Sequence, residues 1–402
     1  MLRQIAVQLV RRSQTRYAHI WLRAECLDLE QRSALVPRDA QTLIKKHGHK
    51  VSVERSKQRV FADDEYKQAG CEMVEEGQWK VLNKESASGK PLPIWVLGLK
   101  TLGKPDPKVL HTNHIYFAHC FKGQKGWEKE VKRFTAGGSR IFDLEFMLDP
   151  VTRRRVAAFG YHAGYVGMAL AFCSYYAQLE GLHQLPPLMP FDSQAELFEY
   201  VNSWRCKSPA TMAARPSTVI LGAKGAAGSG AAGFFEGFLS TVDSQYRAAY
   251  PLDLWDIQET KQPDCRPALL QHDILVNCIN LQSATEPFLT KDSLNAAGRR
   301  LSVVSDVSCD LSNPHNPLPI YVEETDFPAP ITLAQDVSPP VHITAVSHLP
   351  SLLPREASSS FSAALLPHLA SLPNDPNQFD RVQHPVWTST LEAFERTVRA
   401  LD

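Results

Sequence analysis

Residues 218–230 read Thr-Val-Ile-Leu-Gly-Ala-Lys-Gly-Ala-Ala-Gly-Ser-Gly. The run Thr218 to Leu221 predicts a strand, and its fully apolar character suits a strand covered on both faces. A glycine-rich turn follows at once and opens a helical stretch. In that setting the glycines read as a dinucleotide fingerprint. They permit a tight turn and let backbone N–H groups approach a pyrophosphate at a helix N-terminus. Two registers compete. Gly228, Gly230 and Gly233 spell a literal G-x-G-x-x-G, but this set starts seven residues past the strand. Gly222, Gly225 and Gly228 begin where the strand ends, and this set is preferred. The alternative is a flexible Gly/Ala/Ser loop.

Downstream, an acid that binds a ribose should close the next strand. Asp256 in Leu254-Trp255-Asp256 takes that place. It lies 34 residues beyond Gly222, against the usual spacing of about 20, and Ser244 to Tyr250 reads as the inserted surplus. An acid here favours NAD over NADP, because it repels a 2′-phosphate; the alternative is an exposed loop aspartate. Leu252–Asp256, Asp273–Asn277 and Ser302–Val307 are further short strands, separated by connections of helical character. The set predicts a doubly wound parallel sheet. Upstream, Gly160–Leu179 reads as a long helix in which Gly160, Gly164 and Gly167 recur at three- to four-residue spacing. Each glycine costs a helix about 1 kcal/mol relative to alanine, so their presence points to close approach of another backbone rather than a hinge or cofactor wall. The Pro-rich stretch Pro314–Pro340 reads as a crossing linker, and Thr388–Leu401 as a terminal helix.

The N-terminal part alternates in the same way. Strands are expected at Ile20–Ala24, Lys50–Glu54, Ile94–Leu99, Ile115–Ala118 and Arg140–Leu144, with helices at Pro37–Lys46 and Asp63–Gln68. This is a second α/β domain. Lys100 closes one apolar run and His119 another. A lysine near low-dielectric walls or other cations loses pKa and becomes a base, while histidine titrates near neutrality unaided. Such a pair suits chemistry at an amine and a carbonyl; each is otherwise an ordinary strand-end residue. Arg32, Arg154 and Arg155 are candidate carboxylate clamps, although Arg153–Arg155 also reads as a solvated turn.

The totals bound the function. With 43 Lys+Arg against 43 Asp+Glu and a pI near 7.2, the chain lacks the basic excess of a general nucleic-acid binder. No apolar run approaches the roughly 18 residues of a membrane helix, so a soluble chain is expected. The eight cysteines form no C-x-x-C, and the histidines show no metal-ligand spacing; buried free thiols and no metal site are expected. The first 24 residues hold no acid and carry Arg3, Arg11, Arg12, Arg16 and Arg23. That is the composition of an organellar transit peptide or of an ordinary basic tail, so the location reads as mitochondrial or cytoplasmic. The terminus Ala400-Leu401-Asp402 is no peroxisomal signal.

Several ordered segments carry a wider likeness. They are Leu22-Arg-Ala-Glu25, Gly98-Leu-Lys100, Phe117-Ala-His-Cys120, Asp143-Leu-Glu-Phe146, Arg154-Arg-Val-Ala-Ala-Phe-Gly160, Asp306-Val-Ser308, Asn313-Pro-His-Asn-Pro317 and His348-Leu-Pro-Ser-Leu-Leu-Pro-Arg-Glu-Ala-Ser358. On these the chain resembles the NAD-dependent, lysine-forming saccharopine dehydrogenases, from about Ile20 to the C-terminal helix. The resemblance implies two Rossmann-like domains with the active site in the cleft between them. The first would be residues 20–158 plus 318–402, after a basic extension 1–19, and the second, 159–317, would bind NAD. It implies reversible oxidation of saccharopine to L-lysine and 2-oxoglutarate by a monomer or weak oligomer.

By the same resemblance Lys100 is the base at the secondary amine and His119 the acid/base for the water step. Arg32, Lys100, Gln124 and Phe159 match substrate positions. Arg154, Gly222, Gly225, Ala226, Asp256, Cys278, Ser305, Asp306, Val307 and Ser308 match cofactor positions, and Glu145 lies where it would tune the pair. Two departures stand out. Thr101 replaces a glutamate that follows the catalytic lysine in family members. The glycine turn reads Gly225-Ala-Ala where relatives carry Arg-Cys. Competing readings are a dehydrogenase of the same plan acting on a smaller amino acid, and a catalytically inactive NAD-binding protein.

Overall fold

The computed structural model describes residues 17–401 except 86–90, 105–106, 282, 284, 310, 312, 377–378 and 380–383. The segment with the basic N-terminal composition, up to Arg16, lies outside the described residues. Arg23 does not belong to a basic extension: it is 2% exposed at the end of the first strand.

The chain forms two compact units, 1–158 with 357–402, and 159–356. The second crossing therefore falls after Glu356, not at 317/318. The reason lies in the Pro-rich stretch, which is no linker. Leu318, Ile320 and Tyr321 are buried in the second unit's core, and the strands that follow join its sheet.

The first unit contains strands β1 His19–Leu22, β2 Lys50–Glu54, β3 Glu72–Val74, β4 Trp95–Leu97, β5 Asn113–Tyr116 and β6 Ile141–Asp143. Its helices are α1 Pro37–His47, α2 Asp63–Gln68, α3 Gln78–Glu85 and α4 Trp127–Ala136. The order β3-β2-β1-β4-β5-β6 is all parallel. This is the doubly wound arrangement, and the direction of winding reverses between β1 and β4, where such sheets bind ligands. α1 starts on Pro37, which lacks the N–H a first turn cannot use, and ends on Gly48 at φ +73° with Lys45, Lys46 and His47 in its last turn.

The second unit opens with α5 Gly160–Leu179, α6 Gln194–Arg205 and α7 Pro209–Ala213. There follow β7 Thr218–Leu221, α8 Ala226–Thr241, α9 Ser244–Arg247 (in the expected insertion), β8 Leu252–Trp255, α10 Ile257–Thr260 and α11 Cys265–Leu269. β9 Ile274–Asn277, α12 Lys291–Leu294, β10 Val303–Asp306, β11 Thr332–Leu333 and β12 His342–Thr344 complete it. The order is β11-β12-β10-β9-β7-β8, parallel except for β11. α13 Pro354–Ala370 carries the chain back, and α14 Pro385–Arg399 ends it.

Fourteen of the 20 residues of α5 are buried. Its glycines are there for packing. A Cβ on Gly164 would collide with the Ala227 carbonyl oxygen, and one on Gly230 of α8 with the Tyr161 carbonyl oxygen. The two helices thus meet backbone to backbone. In the first unit α14 lies on β6. Trp387 packs its ring 6.0 Å from Phe142 and 6.1 Å from Trp95, and Thr390 donates to the Asp143 carbonyl oxygen at 3.0 Å. Aromatic side chains of this size bury about 150–250 Å², roughly 4–6 kcal/mol each.

Among the described residues no helix is long and apolar enough to cross a membrane, and no group of three His, Cys, Asp or Glu could hold a metal. All eight cysteines are free. Cys26 and Cys206 are exposed, contrary to the expectation of buried thiols.

Candidate active site

The paired residues lie just past two adjacent central strands. β4 stops at Leu97 and β5 at Tyr116, each three residues short of the side chain of interest. Single bonds continue the pairing: Gly98 N–H donates to the Ile115 carbonyl at 3.0 Å and Phe117 N–H to the Leu99 carbonyl at 3.1 Å. Lys100 and His119 therefore emerge side by side at the carboxyl end of the sheet.

Lys100 is half-buried, and its pKa lies below the ordinary lysine value. Desolvation is the main cause and the Arg32 charge the next, with Glu30 and Glu25 opposing. Arg32 is 4% exposed and grips Glu30 bidentately, Nε to Oε1 at 2.8 Å and Nη2 to Oε2 at 2.6 Å. His119 keeps an exposed edge, yet the protein around it depresses its pKa. The Lys100 charge adds to that depression and Glu145 works against it. The His119 backbone is left-handed, at φ +51°, a conformation uncommon outside glycine.

A buried carboxylate holds this turn. Asp143 Oδ2 accepts from Ala118 N–H at 3.2 Å, and Oδ1 from Glu145 N–H at 2.8 Å. Burial pushes the Asp143 carboxyl up to about 7 in spite of these bonds. Glu145 in turn pairs with Lys122 at 2.6 Å. The Gln124 side chain accepts from Lys122 N–H at 2.8 Å, closing the turn after His119. Beside His119 lies a cavity of about 250 Å³ lined in part by Thr101, Phe117, Cys120 and Trp127. It is smaller than the roughly 300 Å³ at which ligand pockets begin.

The remaining candidates lie elsewhere. Arg154 belongs to the first unit, on an exposed hairpin closed by Asp149 N–H donating to the Arg154 carbonyl at 2.8 Å. Phe159 caps α5 in the second unit. There the glycine turn has the geometry of the preferred register. Gly222 sits at φ +77° directly after β7, and its missing Cβ leaves room for the Cys278 carbonyl, which a Cβ would approach to 3.2 Å. Gly225 caps α8, and a Cβ on Gly228 would run into the Gly222 carbonyl oxygen. Gly230 and Gly233 instead face Tyr161 of α5. The turn lies at the reversal between β7 and β9, with backbone N–H groups of a 16-residue helix opening at Ala226. Such a turn fits a pyrophosphate.

Asp256 follows β8. Its carboxylate accepts Lys224 N–H at 3.0 Å and Ile257 N–H at 2.8 Å, and these bonds hold its pKa below the usual range. Ser305 and Asp306 carry side chains already committed inside. Ser305 donates to the Gly167 carbonyl at 3.0 Å. Asp306 accepts from Asn277 at 2.9 Å and Tyr321 at 2.8 Å. The strand ladder takes up their backbones as well, and Val307 N–H donates to the Asn277 carbonyl at 2.9 Å, which leaves half-buried Ser308 as the first residue beyond the pairing. Burial pushes the Cys278 thiol up, away from the thiolate form that reacts.

Sequence reasoning gave no role to Lys122, Glu30 or Asp143. Asp143 had a signal, an acid directly after the apolar strand Ile141-Phe142. Lys122 had none, standing in a turn of glycines and lysines.

Two doubly wound sheets, one ending in a Lys/His pair and the other in a glycine turn, define a two-unit dehydrogenase class. Solved structures agree on the fold. An L-alanine dehydrogenase matches with TM-score 0.64 at 16% identity, covering 96% of this chain and 100% of that one. A transhydrogenase from Sinorhizobium meliloti matches with TM-score 0.54 at 14% identity, covering 87% and 91%. A family model described as alanine dehydrogenase/PNT, N-terminal domain, matches residues 21–166. Sequence relatives are more specific. Saccharopine dehydrogenase [NAD(+), L-lysine-forming] of Schizosaccharomyces pombe is 39% identical over 392 residues, covering 95% of this chain and 99% of the relative. That of Emericella nidulans is 39% identical over 390 residues, covering 95% and 98%. The chain belongs to the family of NAD(+)-dependent, L-lysine-forming saccharopine dehydrogenases.

Proposed function

We propose that the chain catalyses the reversible conversion of saccharopine, NAD and water into L-lysine, 2-oxoglutarate and NADH. The observation that carries this reading is the juxtaposition of Lys100 and His119 on neighbouring strand ends. Both have lowered pKa values, and the Lys100 charge acts on His119. Family membership supports the choice of substrate.

The Gly222–Ala226 backbone and Asp256 would hold NAD, which when bound would supply the hydride acceptor for the carbon that bears the secondary amine. Lys100 Nζ, neutral before the reaction, takes the proton from that amine nitrogen, leaving a C=N bond. His119 takes a proton from the water that adds to this carbon, while Lys100 returns its proton to nitrogen. His119 then protonates the nitrogen as the C–N bond breaks. Lys100 receives the hydroxyl proton, which is the one proton released overall. A proton carrier of this kind works best with a pKa near the operating pH, and the burial and cationic neighbour of Lys100 move it in that direction. Arg32 and Gln124 are the candidates to orient the substrate's carboxylates. Thr101 leaves Lys100 without the adjacent acid of family members, so Glu30 and Glu25 are its acidic neighbours here.

The test follows NADH absorbance with purified protein, lysine and 2-oxoglutarate, omitting each in turn. Consumption must require both substrates. Lys100→Met should lower turnover by about 10²-fold or more, as loss of a general acid–base does, and leave NADH binding intact. Near-normal turnover in that variant refutes the base assignment. NADH binding without turnover in the wild type favours an inactive binding protein.

A further inference from the structure

The reversal of winding between β1 and β4 leaves backbone groups beyond the two strand ends without ladder partners. Arg23 and Glu25, directly after β1, supply them. Glu25 is 7% exposed, and its Oε1 accepts Leu99 N–H at 2.7 Å while Oε2 accepts Lys100 N–H at 2.9 Å. The Arg23 guanidinium donates to the Lys100 carbonyl through Nη2. Arg23 N–H donates to the Leu97 carbonyl at 3.0 Å, and Arg23 Nη1 stands 3.6 Å from Glu25 Oε2. Lys100 is thus gripped at both its N–H and its carbonyl by one buried, oppositely charged pair.

Gly98 completes the arrangement. A Cβ there would stand 2.6 Å from Arg23 Nη2 and collide with Nε, so only glycine leaves room for the guanidinium beside the end of β4, where it reaches Lys100. The grip holds the main chain of Lys100 on both sides of its Cα.

We propose that Arg23 and Glu25 are positioning residues that latch the Lys100 backbone, fixing where its Nζ meets the substrate; this rests on the reading of Lys100 as the base. Neither residue touches the substrate. A displacement of about 1 Å in a catalytic group costs on the order of 10²-fold in rate, and a freed Lys100 turn permits such a displacement.

Glu25→Gln tests the latch with the fewest structural side effects, since it keeps one acceptor and the side-chain shape. Turnover should fall 10- to 100-fold with KM for lysine and 2-oxoglutarate and the Kd for NADH within about threefold of wild type. The Lys100 ionisation should also move to lower pH, because Glu25 is one of the acids that oppose its depression. The charged groups facing Lys100 are Arg23, Arg32, Glu30, Glu25 and His119, and all but Glu25 are unchanged in this variant. Gly98→Ala is the second variant: it drives the guanidinium aside without altering a charge, and should lower turnover without the shift that charge removal produces. A folded Glu25→Gln protein with wild-type turnover and pH profile overturns the latch. So does lost thermal stability or NADH binding with wild-type turnover per folded molecule. If the wild type itself shows no turnover, the functional reading fails and the latch is decided separately. The ¹³Cε resonance of Lys100, assigned by its loss in Lys100→Met, is titrated in wild type and Glu25→Gln, and equal midpoints overturn it.

Discussion

Gly164→Ala sets two opposed effects against each other. In an isolated helix the change is favourable by about 1 kcal/mol, because alanine loses less backbone entropy and shields the helix from water. In this structure the new methyl points at the Ala227 carbonyl oxygen, well inside contact, and a backbone atom cannot turn away as a side chain can. Relief requires α5 and α8 to move apart, and overpacking of this kind costs about 1–3 kcal/mol or more. A backbone-to-backbone collision belongs at the upper end, so the net effect is a loss of about 1–2 kcal/mol, or roughly 2–8 °C in a unit of this size. Gly233→Ala is the matched control on α8. Its methyl meets the hydroxyl tip of Tyr161, a side chain 42% exposed and able to swing outward, so the propensity gain should survive. Calorimetry should find Gly164→Ala less stable than wild type and Gly233→Ala equal to it or better. Because Ala227 lies in the first turn of α8, directly after the Gly222–Gly225 turn, Gly164→Ala should also weaken NADH binding, measured by fluorescence. A Gly164→Ala protein as stable as Gly233→Ala, with NADH affinity unchanged, refutes the close approach and restores the hinge reading.

The first unit offers two tests of charge. The carboxyl of Asp143, raised by burial from 3.8 to about 7, keeps a proton in the folded state that the unfolded chain releases above about pH 4. The Asp143 contribution to stability should therefore fall as pH rises from about 4 to 7, by about 4 kcal/mol in all, while His19 and His114, whose pKa values burial depresses, contribute in the opposite sense over part of that range. Urea unfolding followed by tryptophan fluorescence reports chiefly on this unit, which holds five of the seven tryptophans. Asp143→Asn should remove the Asp143 contribution, and a pH slope unchanged from wild type refutes the burial argument. Arg32→Gln takes away a cation that depresses Lys100 and leaves Glu30, which raises it, unpaired. The rise of saccharopine oxidation with pH should shift to higher pH at saturating substrate, and stability should drop by about 3–5 kcal/mol, as it does when half of a buried pair is lost. A shift to lower pH would contradict the electrostatic account of Lys100.

What was legible in the sequence follows from which signals are local. Thr218 to Gly230 declares strand, turn and helix within 13 residues, and the geometry of Gly222, Gly225 and Gly228 agrees with that reading. Gly160 and Gly164 declared a close approach for the same reason: a costly residue repeated on one helix face needs a partner. Pro314 to Pro340 misled because proline density describes a backbone without ladder donors. It says nothing about side chains such as Tyr321, whose hydroxyl reaches Asp306 at 2.8 Å. The short strands β11 and β12, of two and three residues, exist only because a sheet edge is there to receive them.

The site divides along the same line. Lys100 and His119 stand out as polar residues ending apolar runs, so their types and places could be read. What makes them a matched pair could not. Glu25 is 75 residues from Lys100 and Asp143 is 25 from Ala118, yet the carboxylate of each accepts a backbone N–H of the neighbouring turn. These contacts follow from the order β1-β4-β5-β6, which puts the two reactive turns on the inner strands and the two carboxylates on the strands flanking them. A buried acid next to an apolar strand has to find donors, and the nearest unpaired N–H groups are those beyond the adjacent strand end. The sheet order thus explains why the supporting carboxylates sit where they do: they satisfy the backbone that the chemistry needs held still.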